Sequence, residues 1–145
     1  MKKLIFIALA VFMFSSCVRD NFITETFFPD SFTEVYRVYR RDWRRGNDAV
    51  HGVHFFYEFT ERALTSDVWR YGAMQAFLIY NRAGRERISP LPFSDFFVDN
   101  NGVRWEEHLT VEFSPQTITF IMKNNDQIHE RPFFDYYEFM VRFVW

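Results

Sequence analysis

Tyr137-Glu138-Phe139-Met140-Val141-Arg142-Phe143-Val144-Trp145 is the stretch on which the fold turns. Tyr137, Phe139, Val141, Phe143 and Trp145 fall on one row, and Glu138, Met140, Arg142 and Val144 on the other. Side chains of a strand alternate between its faces, so this two-residue period predicts a strand with one buried face. A loose tail would rarely carry so apolar a row, and the strand is expected to be integral to a sheet.

The same period appears twice just upstream. Leu109, Val111 and Phe113 alternate with His108, Thr110 and Glu112, and Ile118, Phe120 and Met122 alternate with Thr117, Thr119 and Ile121. Ser114-Pro115-Gln116 turns the chain between them, and Asn124-Asn125-Asp126 predicts a further turn. Asn101-Gly102 is a hairpin signal, because both residues tolerate positive φ. Pro90-Leu91-Pro92 marks a sheet edge or a crossing between sheets, since proline has no amide to give a ladder. Residues 73–80 are apolar on both rows except Gln75, which predicts a central strand covered on both faces.

Residues 81–87 read as a charged loop around Gly84. Thr65-Ser66-Asp67 before Val68-Trp69-Arg70-Tyr71-Gly72 predicts one short helical turn near residues 65–71. Thr65 or Ser66 would cap its amides, Asp67 suits the positive end, and Gly72 is expected to stop it with positive φ. Val53, Phe55, Tyr57 and Phe59 form one apolar row against His54, Phe56 and Glu58. Arg45-Gly46-Asn47-Asp48 reads as a turn. Residues 32–44 have strand composition with mixed rows, which points to a bulge or an edge. Six to eight strands with little helix argue for a sandwich or a small barrel. The expectation is an all-β, single antiparallel β-sandwich.

The chain start has a different character. Lys2 and Lys3 precede an apolar run over residues 4–14, and Phe14-Ser15-Ser16-Cys17 sets small residues before the only cysteine. The run is shorter than the ~20 residues that span a bilayer. An ordinary secretory signal needs no cysteine, whereas a lipoprotein signal needs a thiol at the first mature position to receive acyl chains such as palmitate. The expected organisation is a lipoprotein signal peptide at 1–16, a tether at 17–30 and a β-sandwich domain at 31–145, with Cys17 lipidated.

Once Lys2 and Lys3 leave with the signal, the 17 basic and 19 acidic residues become 15 and 19, a net charge of −4. That balance argues against nucleic acid as a partner. No cysteine is left for a disulfide, so packing alone must hold the domain. Seventeen of the 20 phenylalanines stay in the mature part and favour strands.

Leu64-Thr65-Ser66-Asp67-Val68, Gly72-Ala73, a strand closing on Tyr80, Leu91-Pro92-Phe93, and Ser114-Pro115 before Thr117-Ile118-Thr119-Phe120 occur in that order. In this order of motifs the chain resembles a group of small lipoproteins common in Bacteroidota, over roughly residues 53–145. The resemblance implies a single extracytoplasmic β domain and supplies no catalytic or binding residues. The arginine-rich early strand and the abundance of phenylalanine depart from it.

Chemistry-bearing motifs are sparse. His51 and His54 have a spacing that suggests a metal, but residues three apart on a strand point to opposite faces, so solvated side chains and no metal are expected. Glu106-Glu107 diverge in the same manner, and nothing in the sequence brings a second carboxylate into range. No nucleophile motif, phosphate loop or cofactor pattern is present. The richest cluster is Arg37, Arg40 and Arg41 with Tyr39 and Trp43, where arginine forks and aromatic faces suit an acidic glycan, a lipid head group or an envelope protein. A solvated face balanced by Glu34 and Asp42 is the competing reading. The expected function is a lipid-anchored module of the cell envelope, at the outer membrane, that binds or builds and does no catalysis. Two alternatives stand beside it, a glycan-handling enzyme or accessory lipoprotein and a small outer-membrane barrel.

Overall fold

The computed structural model describes residues 31–98, 101–125 and 132–145. The expected signal, Cys17 and the tether, together with Asp126 of the last turn, lie outside these residues. In chain order the strands are β1 (Ser31–Tyr39), β2 (Arg44–Asp48), β3 (Gly52–Thr60), β4 (Ala73–Arg82), β5 (Arg85–Pro90), β6 (Phe93–Val98), β7 (Arg104–Ser114), β8 (Thr117–Asn124) and β9 (Tyr136–Val144). A 3-10 turn, Arg40–Asp42, follows β1, and one short helix, α1 (Ser66–Tyr71), follows β3.

The strands form two antiparallel sheets in the orders β1-β9-β4-β5 and β2-β3-β8-β7-β6. β9 lies between β1 and β4, at the interior of the first sheet. Its inner row, Tyr137, Phe139, Val141 and Phe143, is buried. Phe139 stacks on Phe120 of β8, with centroids 4.0 Å apart and planes 12° from parallel. This contact joins the sheets face to face, as in a β-sandwich. Burying each such side chain is worth about 1.5–3 kcal/mol, so β9 is a principal source of stability. Trp145, by contrast, lies past the strand and is 40% exposed, so the buried row has four members and not five.

Nine strands among the described residues exceed the six to eight expected, because two short ones hide in segments that read as turn or loop. β2 covers the supposed turn at Arg45-Gly46-Asn47-Asp48, and the actual reversal is at residues 49–51. The end of β4 and the start of β5 take up all of the supposed charged loop except Ala83 and Gly84. β5 joins β4 through Ala83 and Gly84, both at positive φ (56° and 72°), the geometry of a tight primed hairpin. Residues 32–44 divide at the 3-10 turn, with β1 on an edge of one sheet and β2 on an edge of the other. Pro90-Leu91-Pro92 is both an edge and a crossing, carrying the chain from β5 to β6 on the opposite sheet.

β4 buries Ala76 and Leu78 on its inner row. Phe77 and Ile79 on the outer row are only half-buried, so the strand is not covered on both faces. Val53 at the start of β3 is also exposed. The expected helical turn is α1. Thr65 caps it by accepting a hydrogen bond from the Val68 amide (3.2 Å). Gly72 ends it at φ −82° and not in the left-handed region. Its glycine has a steric reason instead: a Cβ would lie 2.5 Å from the Val68 carbonyl oxygen and 3.0 Å from that of Val144.

Residues 61–72 close one end of the sandwich. Leu64 and Val68 are buried, the Gln116 amide donates to the Leu64 carbonyl (2.7 Å), and the Trp69 indole donates to the Phe113 carbonyl (2.9 Å). Tyr36 donates to Glu61 (2.5 Å) at the same end, and burial followed by the Glu61 hydrogen bond pushes the Tyr36 phenol well above its ordinary range. Among the described residues no helix is long and apolar enough to cross a membrane.

Candidate functional site

The sandwich is open at the end opposite α1. There the sheets part around a cavity of about 270 Å³, with Leu78 and Tyr80 of β4 on one side and Phe93, Phe97 and Leu109 of β6 and β7 on the other. Phe134 stands at its mouth beside Asn81 and Arg82. The walls are aromatic by strand alternation. Phe93, Asp95 and Phe97 face inward from β6, and Trp105, Glu107 and Leu109 face inward from β7. Tyr80 packs on Phe93 with centroids 5.2 Å apart, and Phe97 packs on Trp105 at 5.7 Å and on Phe133 at 4.9 Å.

One buried carboxylate lies among these rings. Glu107 is 2% exposed and accepts from the Tyr137 hydroxyl (2.6 Å) and from the Phe133 amide (2.9 Å). The Tyr137 oxygen in turn accepts from the amides of Phe133 and Phe134 (3.1 and 3.3 Å). Burial, and then the negative charge of Glu107, push the Tyr137 phenol well above its ordinary range, so it remains a donor. Glu106 and Glu107 do diverge, as the alternation requires. A second carboxylate nevertheless arrives, because the β6–β7 register sets Asp95 opposite Glu107 on the same inner face. The expectation that none comes into range is corrected. Only the register reveals the pair, and it spans twelve residues of sequence.

The arginine cluster is only partly kept: Arg37, Tyr39 and Arg41 are linked through the Tyr39 and Tyr136 rings, whereas Trp43 leaves it. Arg37 pairs with Glu138 (2.5 Å) and lies over the Tyr136 ring at 4.8 Å. Arg40 donates to the Phe133 and Phe134 carbonyls and pairs with Asp135 (3.3 Å), holding the segment that carries the mouth of the cavity. Among the described residues Arg41 reaches the adjacent Asp42 (3.7 Å) and the Tyr39 ring, and it is largely solvated. Tyr39 packs on Tyr136. Trp43 is not part of this surface. It is buried edge-on to Tyr137 and Phe139, because the 3-10 turn redirects the chain across the sandwich.

The histidine reading is also corrected. His51 belongs to the 49–51 turn and not to a strand, so alternation does not separate it from His54, and the rings lie 5.2 Å apart. His54 is 6% exposed and not solvated. Asp48 joins them. Its carboxyl is held down to about 2, chiefly by the hydrogen bond from the His51 amide, and so stays ionised.

The fold and its cavity define the class, a two-sheet antiparallel β-sandwich with an open, aromatic-lined end. No protein family, curated protein or solved structure matches this chain.

Proposed function

We propose that this is a lipid-anchored envelope protein, held at the outer membrane through Cys17, whose sandwich binds a small ligand at its open end without catalysis. The observation that carries the binding part is the aromatic cavity with Glu107 and Asp95 facing into it. Flat rings favour a ligand with an apolar face, and carboxylates favour hydrogen-bond donors or a positive charge on it. An amino sugar or an aromatic amine meets both requirements. The anchoring part rests on the Cys17 motif and on the resemblance to small envelope lipoproteins.

The binding test uses the full chain, with glucosamine and tyramine as probes and tryptophan fluorescence as readout, since Trp105 lies behind Phe97. Saturable binding is expected with at least one probe. Asn81→Trp, at an exposed position on the mouth, is expected to abolish it while leaving the melting temperature unchanged. No saturation with either probe, or binding indifferent to Asn81→Trp, would overturn the assignment. For the anchor, Cys17→Ser is expected to move the protein from the membrane to the soluble envelope fraction. Wild-type protein without lipid at its N-terminus would refute it.

One observation favours a second reading, a glycan-handling enzyme. Cross-strand neighbours such as Asp95 and Glu107 have Cβ atoms about 4.5–5.5 Å apart. Glycosidases act through a pair of carboxyl groups that flank the scissile bond. Against it, both oxygens of Glu107 already accept hydrogen bonds from the protein, which suits a fixed acceptor better than a group that must gain and lose a proton. Turnover of nitrophenyl glycosides that disappears in Asp95→Asn would reverse the preference.

A further inference from the structure

At the β2–β3 turn, on the outer face of the second sheet, Asp48, His51 and His54 direct three ligand atoms at one point. Asp48 Oδ1 is engaged by the amides of Val50 (2.8 Å) and His51 (2.6 Å), which leaves Oδ2 to face the two rings. Oδ2 lies 3.2 Å from His51 Nδ1 and 3.6 Å from His54 Nε2, and all three atoms lie within 4.8 Å of one another. Zinc–ligand bonds of about 2.0–2.2 Å in a tetrahedron place neighbouring ligand atoms roughly 3.3–3.6 Å apart, so the two measured separations fit.

The outer contacts of the two rings orient them. His54 Nδ1 lies 2.8 Å from the Gly52 carbonyl, which only accepts, so the ring proton is on Nδ1. Nε2 is then the ring atom turned toward Asp48 Oδ2, 3.6 Å away, and it is the nitrogen that a metal ion between them would take. His51 is engaged on its far side as well, with Nε2 3.0 Å from Glu112 Oε1 of β7. A carboxylate on the Nε2 side, with Nδ1 turned toward Asp48, is the carboxylate–histidine–metal arrangement that orients ligating imidazoles. The backbone is fitted to the cluster too. Gly46, directly across from His54 on β2, would place a Cβ 2.6 Å from His54 Nε2 were it any other residue.

We propose that Asp48, His51 and His54 form a divalent transition-metal site, with Zn²⁺ the best match to two imidazoles and one carboxylate, and with Glu112 as the outer carboxylate that orients His51. Three protein ligands leave a fourth position for water or an external ligand. The site is separate from the cavity, so its test does not depend on the binding proposal.

The test is calorimetric titration of ZnCl₂ into the metal-stripped full chain, with Co²⁺ substitution as a spectroscopic check. One equivalent of Zn²⁺ is expected to bind, and Co²⁺ is expected to give the intense visible bands of a tetrahedral site. Glu112→Gln is expected to weaken Zn²⁺ binding about 10–100-fold. His51→Ala and Asp48→Asn are expected to weaken it further, and to remove the Zn²⁺-dependent rise in melting temperature expected of wild type. His51 is in the turn and outside the core, so its variant should fold even if a His54 variant does not. His108→Ala, on a different part of the sheet, is expected to bind like wild type. Absence of saturable Zn²⁺ binding, affinity unchanged in both His51→Ala and Asp48→Asn, or an octahedral Co²⁺ spectrum would each overturn the proposal.

Discussion

Tyr137 of one sheet donates its phenolic proton to Glu107 of the other across 2.6 Å, in the interior of the sandwich. Removing the hydroxyl with Tyr137→Phe takes a donor from a buried carboxylate and also takes the acceptor of the Phe133 and Phe134 amides. A loss of about 1–3 kcal/mol is expected. Replacing both partners, as Tyr137→Phe with Glu107→Leu, is expected to cost less than the sum of the single changes, because no buried charge is then left without its donor. Denaturant melts of the four proteins check this, and strict additivity would contradict it.

Alkaline pH reads the same bond. The phenols of Tyr36 and Tyr137 are both raised, by burial first and then by a carboxylate neighbour. The unfolded chain loses these protons near pH 10 while the folded chain keeps them, so the folded state binds more protons above that point. Their contribution is therefore complete below pH 10 and is lost as pH rises above it. Urea midpoints measured from pH 8 to pH 11 are expected to hold and then fall. Tyr36→Phe with Tyr137→Phe is expected to flatten the fall, and a wild-type midpoint level through pH 11 would count against it.

Ala83 is the residue least suited to its backbone. At φ 56° its Cβ crowds the chain, a cost that Asn tolerates better beside a glycine. Ala83→Asn is expected to stabilise the domain by about 0.5–1 kcal/mol, and Ala83→Val to destabilise it. Thermal melts decide the sign. A neutral or destabilising Asn would mean that the β4–β5 turn adopts another geometry.

Phe143, wholly buried in β9, packs against Phe32 and Phe113. Phe143→Ala is expected to cost about 3–5 kcal/mol. Deleting residues 137–145 removes an interior strand from a domain that has only about 5–15 kcal/mol to lose, and is expected to unfold it. A truncated chain with a native circular dichroism spectrum and a cooperative melt would remove β9 from its place.

The arginines separate by role. Arg40→Ala is expected to lower the melting temperature and, with it, binding at the cavity, because Arg40 fixes the carbonyls of Phe133 and Phe134. Arg41→Ala, at a solvated position, is expected to change neither. Equal effects of the two would contradict a holding role peculiar to Arg40.

Much of this architecture can be read from single strands. The rows of 109–113, 118–122 and 137–143 announce their buried faces because alternation is a local property, and Pro90-Leu91-Pro92 announces a crossing because proline cannot serve a ladder. What is not legible depends on register or on turn length. Asp95 meets Glu107 only through pairing of β6 with β7. His51 meets His54 only because the turn is three residues long and begins directly after Asp48. Ala83-Gly84 escapes because alanine is a poor choice for the conformation it holds. Trp43 passes for a surface aromatic among arginines, since nothing nearby in sequence shows that the chain changes sheets there.

Pairing of β1 with β9 sets Ser31 beside Val144 and Tyr39 beside Tyr136, so the chain enters at the end plugged by α1 and travels toward the cavity. Nine residues of strand cover about 30 Å. If Cys17 carries the proposed anchor, the tether joins the domain at the plugged end, and the cavity mouth lies a strand length away from that junction.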